Sequence, residues 1–155
     1  MRHLTLLAAF AAMPAGLPAQ PVQPDWRVAA TDSEGEGGRS VGRSVGFVDL
    51  NSMSREGDRV SFILEVHFIN QRNANGPNAM LSHMQAECSA RRWSTTDTIL
   101  YRDGAEVGRN GGTQSEAVEP NSNGYAVLTA VCTGQFQTGP IADRDAYART
   151  FLTPK

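Results

Sequence analysis

Few side chains in this sequence are equipped for chemistry: His67 and His83, a set of 16 carboxylates, and two cysteines, Cys88 and Cys132. A hydrolase triad needs a nucleophile, a base and an orienting acid. Beyond the extreme N-terminus His67 and His83 are the histidine bases on offer, and neither a Gly-x-Ser-x-Gly elbow nor a His-Glu-x-x-His motif accompanies them. Paired carboxylates can cleave a glycoside, but 16 acidic residues form such pairs in any chain of this size. The expectation is therefore a non-enzymatic protein, with no catalytic residue and no cofactor.

One constellation has ligand chemistry. Glu65 and His67 alternate onto one face of a strand-like run, and His83, Gln85 and Glu87 share a face of the next. With a turn near Asn75, paired positions sum to about 150, which sets His67 opposite His83. Glu65, His67, His83 and Glu87 would then bring two imidazoles and two carboxylates together, donors that suit zinc. The solvated face of a half-buried antiparallel sheet shows the same alternation without any metal, and that reading is preferred.

The cysteines depend on where the chain resides. Met1, Arg2 and His3 form a short positive end, residues 4–13 an uncharged and largely apolar run, and Pro14, Gly16 and Pro18 break any helix before Ala19. That is the layout of a cleavable secretory signal, and ten apolar residues fall far below the roughly 20 needed to span a bilayer. Cleavage near Ala19 leaves a periplasmic or secreted chain of 136 residues, enough for one domain with a modest core. In such an oxidising compartment two lone cysteines without a CxxC motif pair, so a Cys88–Cys132 disulfide is expected. No cysteine stands near the cut to accept a lipid, and no later segment is long and apolar enough for a membrane helix. The net charge of −2 for the whole chain argues against a nucleic-acid partner. An unknown protein or envelope component is the expected one.

The elements follow from periodicity. Residues 20–25 read as an extended leader and residues 26–30 as a short strand with Trp26 and Val28 on one face. Residues 31–44 are Gly/Ser-rich, with a tandem Arg-Ser-Val-Gly, and their glycine spacing fits no phosphate cradle. Residues 45–50 are strand-like, and 51–58 carry turn formers. Val60, Phe62, Leu64, Val66 and Phe68 then alternate with Ser61, Ile63, Glu65, His67 and Ile69, a sustained period of two. Residues 70–78 form a loop, 80–93 and 95–101 are strand-like, Arg102-Asp103-Gly104 is a turn, and 108–115 read as a polar, mobile stretch. With no helix-length crossover between them, these strands pair antiparallel. After Pro120, Asn121 or Ser122 caps a helix that places Tyr125, Leu128, Val131 and Cys132 on one face and stops at Gly134. The run is also β-tolerant, but helix is the favoured reading. Asp143 caps a last helix through Leu152, with Tyr147 and Phe151 one turn apart and Pro154 beyond. The fold class is α+β: an antiparallel sheet with one or two C-terminal helices packed on one face, and one disulfide pinning helix to sheet.

The order of these signatures resembles a known family. Asp49, Ser52, Met53, Arg55, Gly57, Asp58 and Val60 resemble the opening block of surface-adhesin E-like proteins. Cys88, Arg91, Trp93, Tyr101 and Gly104 look like its second block, and Glu119-Pro120-Asn121-Ser122 with Cys132 and Gly134 its closing one. The likeness covers residues 45–134, and together with the readings above it divides the chain into a signal peptide (1–19), a leader with a first strand and Gly/Ser-rich loop (20–44), and the adhesin-like domain (45–155). It implies an exported bacterial domain with joined cysteines, serving protein interaction or adhesion. The adhesin that names the family is an outer-membrane lipoprotein that adheres to host extracellular-matrix proteins. This chain departs from it in having no cysteine near the cut and no Lys-rich adhesive segment. A periplasmic small-ligand or metal-binding protein using the outer sheet face is the alternative.

Overall fold

The computed structural model of the protein describes residues 23–32, 43–69, 73 and 75–153. The signal segment, its cleavage site, most of the Gly/Ser-rich stretch and Pro154 lie outside the described residues. Six strands follow chain order across one antiparallel sheet: β1 (Trp26–Asp32), β2 (Ser44–Glu56), β3 (Arg59–Phe68), β4 (Ala79–Glu87), β5 (Arg92–Arg102) and β6 (Ala105–Gly111). A two-residue strand, β7 (Glu116–Ala117), pairs with the start of β5, whose far half already pairs with β6. Helices α1 (Asn123–Thr133) and α2 (Arg144–Leu152) complete the chain. The α+β class, the antiparallel sheet, two C-terminal helices and the bridge are as the sequence implies. β1 is an integral strand, paired with β2 from Trp26↔Asp49 to Asp32↔Ser44.

The turns obey backbone sterics. Gly57, at φ 60°, starts the two-residue loop between paired Glu56 and Arg59. Asp103 and Gly104, at φ 50° and 81°, close β5 onto β6. Two positive φ values are what a type I′ hairpin turn requires.

Three segments differ from expectation. Residues 88–91, read as part of one strand-like run, form the turn between β4 and β5, with Arg91 at φ 51°. Residues 51–56 belong to β2, so the turn formers there make a bulge: residues 50–53 stand opposite Phe62 alone. Side chains fill the ladder's gap. Ser52 Oγ donates to the Asp49 carbonyl at 2.7 Å and accepts from Ile63 N–H at 2.9 Å, while the Asp49 carboxylate accepts from Asn51 N–H at 3.0 Å. Residues 105–111, read in part as a mobile stretch, form edge strand β6, which has no apolar alternation because it is exposed on both sides. Gly112 runs so close to β5 that a Cβ there would lie 2.4 Å from the Thr95 carbonyl oxygen.

The helices also sit differently. α1 covers one sheet face, burying Val127, Leu128, Ala130 and Val131 against Ala30, Val48, Val60, Phe62, Leu64, Met84 and Ala86. α2 covers the opposite face, where Ala148, Tyr147, Phe151 and Leu152 pack on Trp26, Val28, Val45 and Phe47. The expectation of helices on one face thus holds for α1 alone. The physical reason lies in β2, whose consecutive residues 45–49 are all buried; a strand buried on both faces needs cover on both.

Local chemistry fixes the helix ends. Ser122 Oγ accepts from Tyr125 N–H at 3.1 Å and Asp143 Oδ1 from Ala146 N–H at 2.8 Å, caps that contribute about 1 kcal/mol each. Gly134 ends α1 in the left-handed region at φ 75°, where a residue without a Cβ meets no steric penalty. The Cys88–Cys132 bridge, with a Cα–Cα distance of 5.7 Å, ties the end of α1 to the β4–β5 turn. Beside it Arg55 reaches from β2 to donate to the carbonyls of Val131 (3.2 Å) and Cys132 (2.8 Å). A cation there meets the negative end of the helix dipole. The Asp58 carboxylate accepts from Ser89 N–H and Oγ, at 3.0 and 2.6 Å, and so clasps the β2–β3 turn to the β4–β5 turn.

The β1 edge is occupied by the chain itself, and the β6 edge is poorly suited to further pairing. The α1–α2 connection runs along β1, with Gln137 N–H donating to Val28 O and Ile141 N–H to Trp26 O, each at 2.8 Å. β6 carries a register shift against Leu100 and Tyr101, and an Arg109–Glu106 ion pair at 2.6 Å. A bulge and charges on an edge discourage a foreign strand.

Candidate functional site

The α2 side of the sheet carries the polar chemistry. Successive pairings place Phe47, Glu65, Leu81, Ile99 and Arg109 in one row across it. Val45, His67, Ala79, Tyr101 and Glu106 form the adjacent row. α2 lies over the β1–β2 end of these rows. Beside it a groove of about 1110 Å³ has Glu65, His67, Leu81 and Tyr101 in its floor and Arg144, Asp145 and Arg149 in its helical wall.

Glu65 is the hub of the polar cluster. His67 Nε2 lies 2.6 Å from Glu65 Oε1, and the two side chains keep only 14% and 12% of their surface exposed. Arg144, the first residue of α2, donates to Glu65 Oε2, and its guanidinium carbon stands 4.1 Å from the centroid of the Trp26 ring. Asp145 Oδ1 is 3.9 Å from His67 Nε2, and the Asp145 side chain, 71% exposed, lines the groove. The His67 ring meets Phe47 edge-on at 5.7 Å. Burying a carboxylate is tolerable when a cation and hydrogen bonds offset its lost hydration, and Glu65 has both.

The four residues singled out from sequence are not all brought together. Paired positions of β3 and β4 sum to 146, so His83 faces Ile63 and His67 faces Ala79. Four residues of strand, about 13 Å, therefore separate the two imidazoles along the sheet. His83 instead pairs with Asp97 on β5 at 2.7 Å, with both side chains nearly half exposed. Glu87 lies at the far end of β4 opposite Arg59. Glu65 and His67 remain neighbours and gain Arg144 and Asp145, which sequence reasoning missed. Capping by Asp143 does place residues 144 and 145 in a first helical turn, but nothing local to the helix says which sheet face that turn meets.

Carboxyls held below their ordinary range lie elsewhere. Asp25 is lowered by its hydrogen bond from Arg27, and Glu106 by its hydrogen bond from Arg109. Neither lines the groove.

Among the described residues no helix is long and apolar enough to cross a membrane. No curated protein matches the sequence. Crystal form II of Haemophilus influenzae protein E is a similar solved structure, at 12% identity and a TM-score of 0.45, covering 57% of this chain and 80% of that one. The family model for surface-adhesin protein E matches residues 36–133, which span β2 to α1 with the bridge and both of its cysteines. On that match the chain belongs to the surface-adhesin protein E family.

Proposed function

We propose that this is an exported, non-enzymatic envelope protein that binds a protein partner through the part of its second sheet face that α2 leaves open. Cleavage after residue 19 releases a periplasmic or secreted chain, in which residues 45–155 form the adhesin-like domain and β1 completes its sheet. One observation carries the reading. Leu81, Ile99 and Tyr101 are half-buried neighbours on that face and belong to neither hydrophobic core. Adjacent apolar and aromatic side chains on a rigid sheet are the material of an interface centre. The charged residues around them (Arg109, Glu106, Asp97 and His83) supply the polar rim.

The test compares the mature disulfide-bonded protein with its Leu81→Arg/Ile99→Arg variant over a panel of purified extracellular-matrix and envelope proteins, using surface plasmon resonance. We expect the native chain to bind at least one of them and the variant to lose at least tenfold in affinity. Its melting temperature should stay close to native, since neither residue joins a core. Equal binding by both chains, or none by the native chain, would overturn the proposal.

A further inference from the structure

We propose that Glu65, His67 and Asp145 form a binding site for a divalent transition-metal ion of the zinc type, at the junction of α2 and the sheet. One ligand atom of each residue lies within 4.8 Å of those of the other two, and His67 Nε2 stands 2.6 Å from Glu65 Oε1 and 3.9 Å from Asp145 Oδ1. One imidazole and two carboxylates are donors that Zn²⁺ accepts, with bonds of about 2.0–2.2 Å. Tetrahedral angles at those lengths set the ligand atoms roughly 3.3 Å apart. The His67–Glu65 contact of 2.6 Å must therefore open and the His67–Asp145 distance of 3.9 Å must close, each by under 1 Å, while the two carboxylates, within 4.8 Å, must draw together by up to about 1.5 Å.

The three ligands differ in mobility in a useful way. Glu65 and His67 alternate along one strand and are nearly buried, so their atoms are held by the sheet. Asp145 is exposed at the start of α2 and can swing in. Arg144 binds the other oxygen of Glu65 and leaves Oε1 to the metal. A neighbouring group of this kind orients a ligand, but its positive charge also opposes the ion. Metal entry displaces the His67–Glu65 hydrogen bond, and the Nε2 proton either leaves to solvent or is replaced by one on Nδ1. The fourth position faces the groove, where water or a partner's side chain completes the shell.

This inference is independent of the apolar interface proposed above, and its test leaves Leu81 and Ile99 untouched. Mature protein, freed of metal with a chelator and dialysed, is titrated with Zn²⁺ by calorimetry and with Co²⁺ by visible absorption. The expected result is one ion per chain, with at least tenfold weaker binding in Asp145→Asn and in His67→Gln. Binding should be unchanged in His83→Ala and tighter in Arg144→Gln, which removes the opposing charge. Circular dichroism and thermal melting establish that each variant is folded. No binding by the native chain, binding unaffected by Asp145→Asn, or binding abolished by His83→Ala would each overturn the site.

Discussion

Replacing Cys88 and Cys132 together by alanine is expected to lower stability by about 4 kcal/mol, the chain-entropy value for freeing a loop of this length. The bridge joins residues separated by 44 positions, so without it the unfolded chain gains the freedom of a segment holding β5, β6, β7 and α1. That is a large part of the roughly 5–15 kcal/mol that stabilises an ordinary domain, and the melting temperature should fall by on the order of 15 °C. The folded state loses something as well. Among the described residues, Arg55 would then supply the polar contacts that hold the end of α1 to the sheet. Thermal unfolding of the oxidised native chain beside the double variant measures the effect, and a loss below about 1 kcal/mol would contradict the entropic account.

Phe47→Ala should cost about 3–5 kcal/mol, the range for deleting a large aromatic from a packed core. Phe47 is fully buried at the centre of the α2-side core. Its ring meets His67 at 5.7 Å and Tyr147 at 5.8 Å, both edge-on, so it links β2 and β3 to α2. The cavity left by alanine would lie under a helix that buries only one residue completely, Ala148. α2 should therefore loosen before the sheet does. Urea unfolding gives the global loss, and amide exchange should show protection falling first in residues 144–152. If exchange there stays native and the loss is below about 1.5 kcal/mol, α2 does not depend on this core.

How much of this is legible in the sequence depends on how far each signal reaches. Local signals agree with the structure: the alternation of β3, Ser122 and Asp143 as N-caps, Gly134 as a stop, and the Asp103-Gly104 turn. Signals that depend on a partner element do not. The β3–β4 register is set by cross-strand packing, which pairs Phe62 with Met84 and His67 with Ala79, so placing the turn's centre at Asn75 sets His83 wrongly against His67. β6 lacks apolar alternation because no described element covers it. The opposite placement of the helices is latent in Val45, Phe47 and Val48, whose buried side chains point to both faces. Asp145 becomes a neighbour of Glu65 only through that placement.

The residues that carry the family likeness have mostly structural roles. Asp49 and Ser52 fill the β2 bulge, and Arg55 caps α1. Gly57 turns the chain and Asp58 clasps Ser89. Arg91 and Asn121 occupy positive φ, and the cysteines form the bridge. Membership in the surface-adhesin protein E family therefore speaks for this scaffold, while Leu81, Ile99 and Asp145 lie outside the motif blocks.

The bridge has a further consequence for a protein pulled by its ends. Tension entering at the N-terminus would travel through the chain to Cys88, cross the two sulfurs to Cys132 and leave through α2. The backbone between those cysteines would carry no load, and about 150 Å of potential extension would stay locked away. β5, β6 and α1 could then be deformed sideways but never unravelled by the pull. Only a reductant would put their length into the line of force.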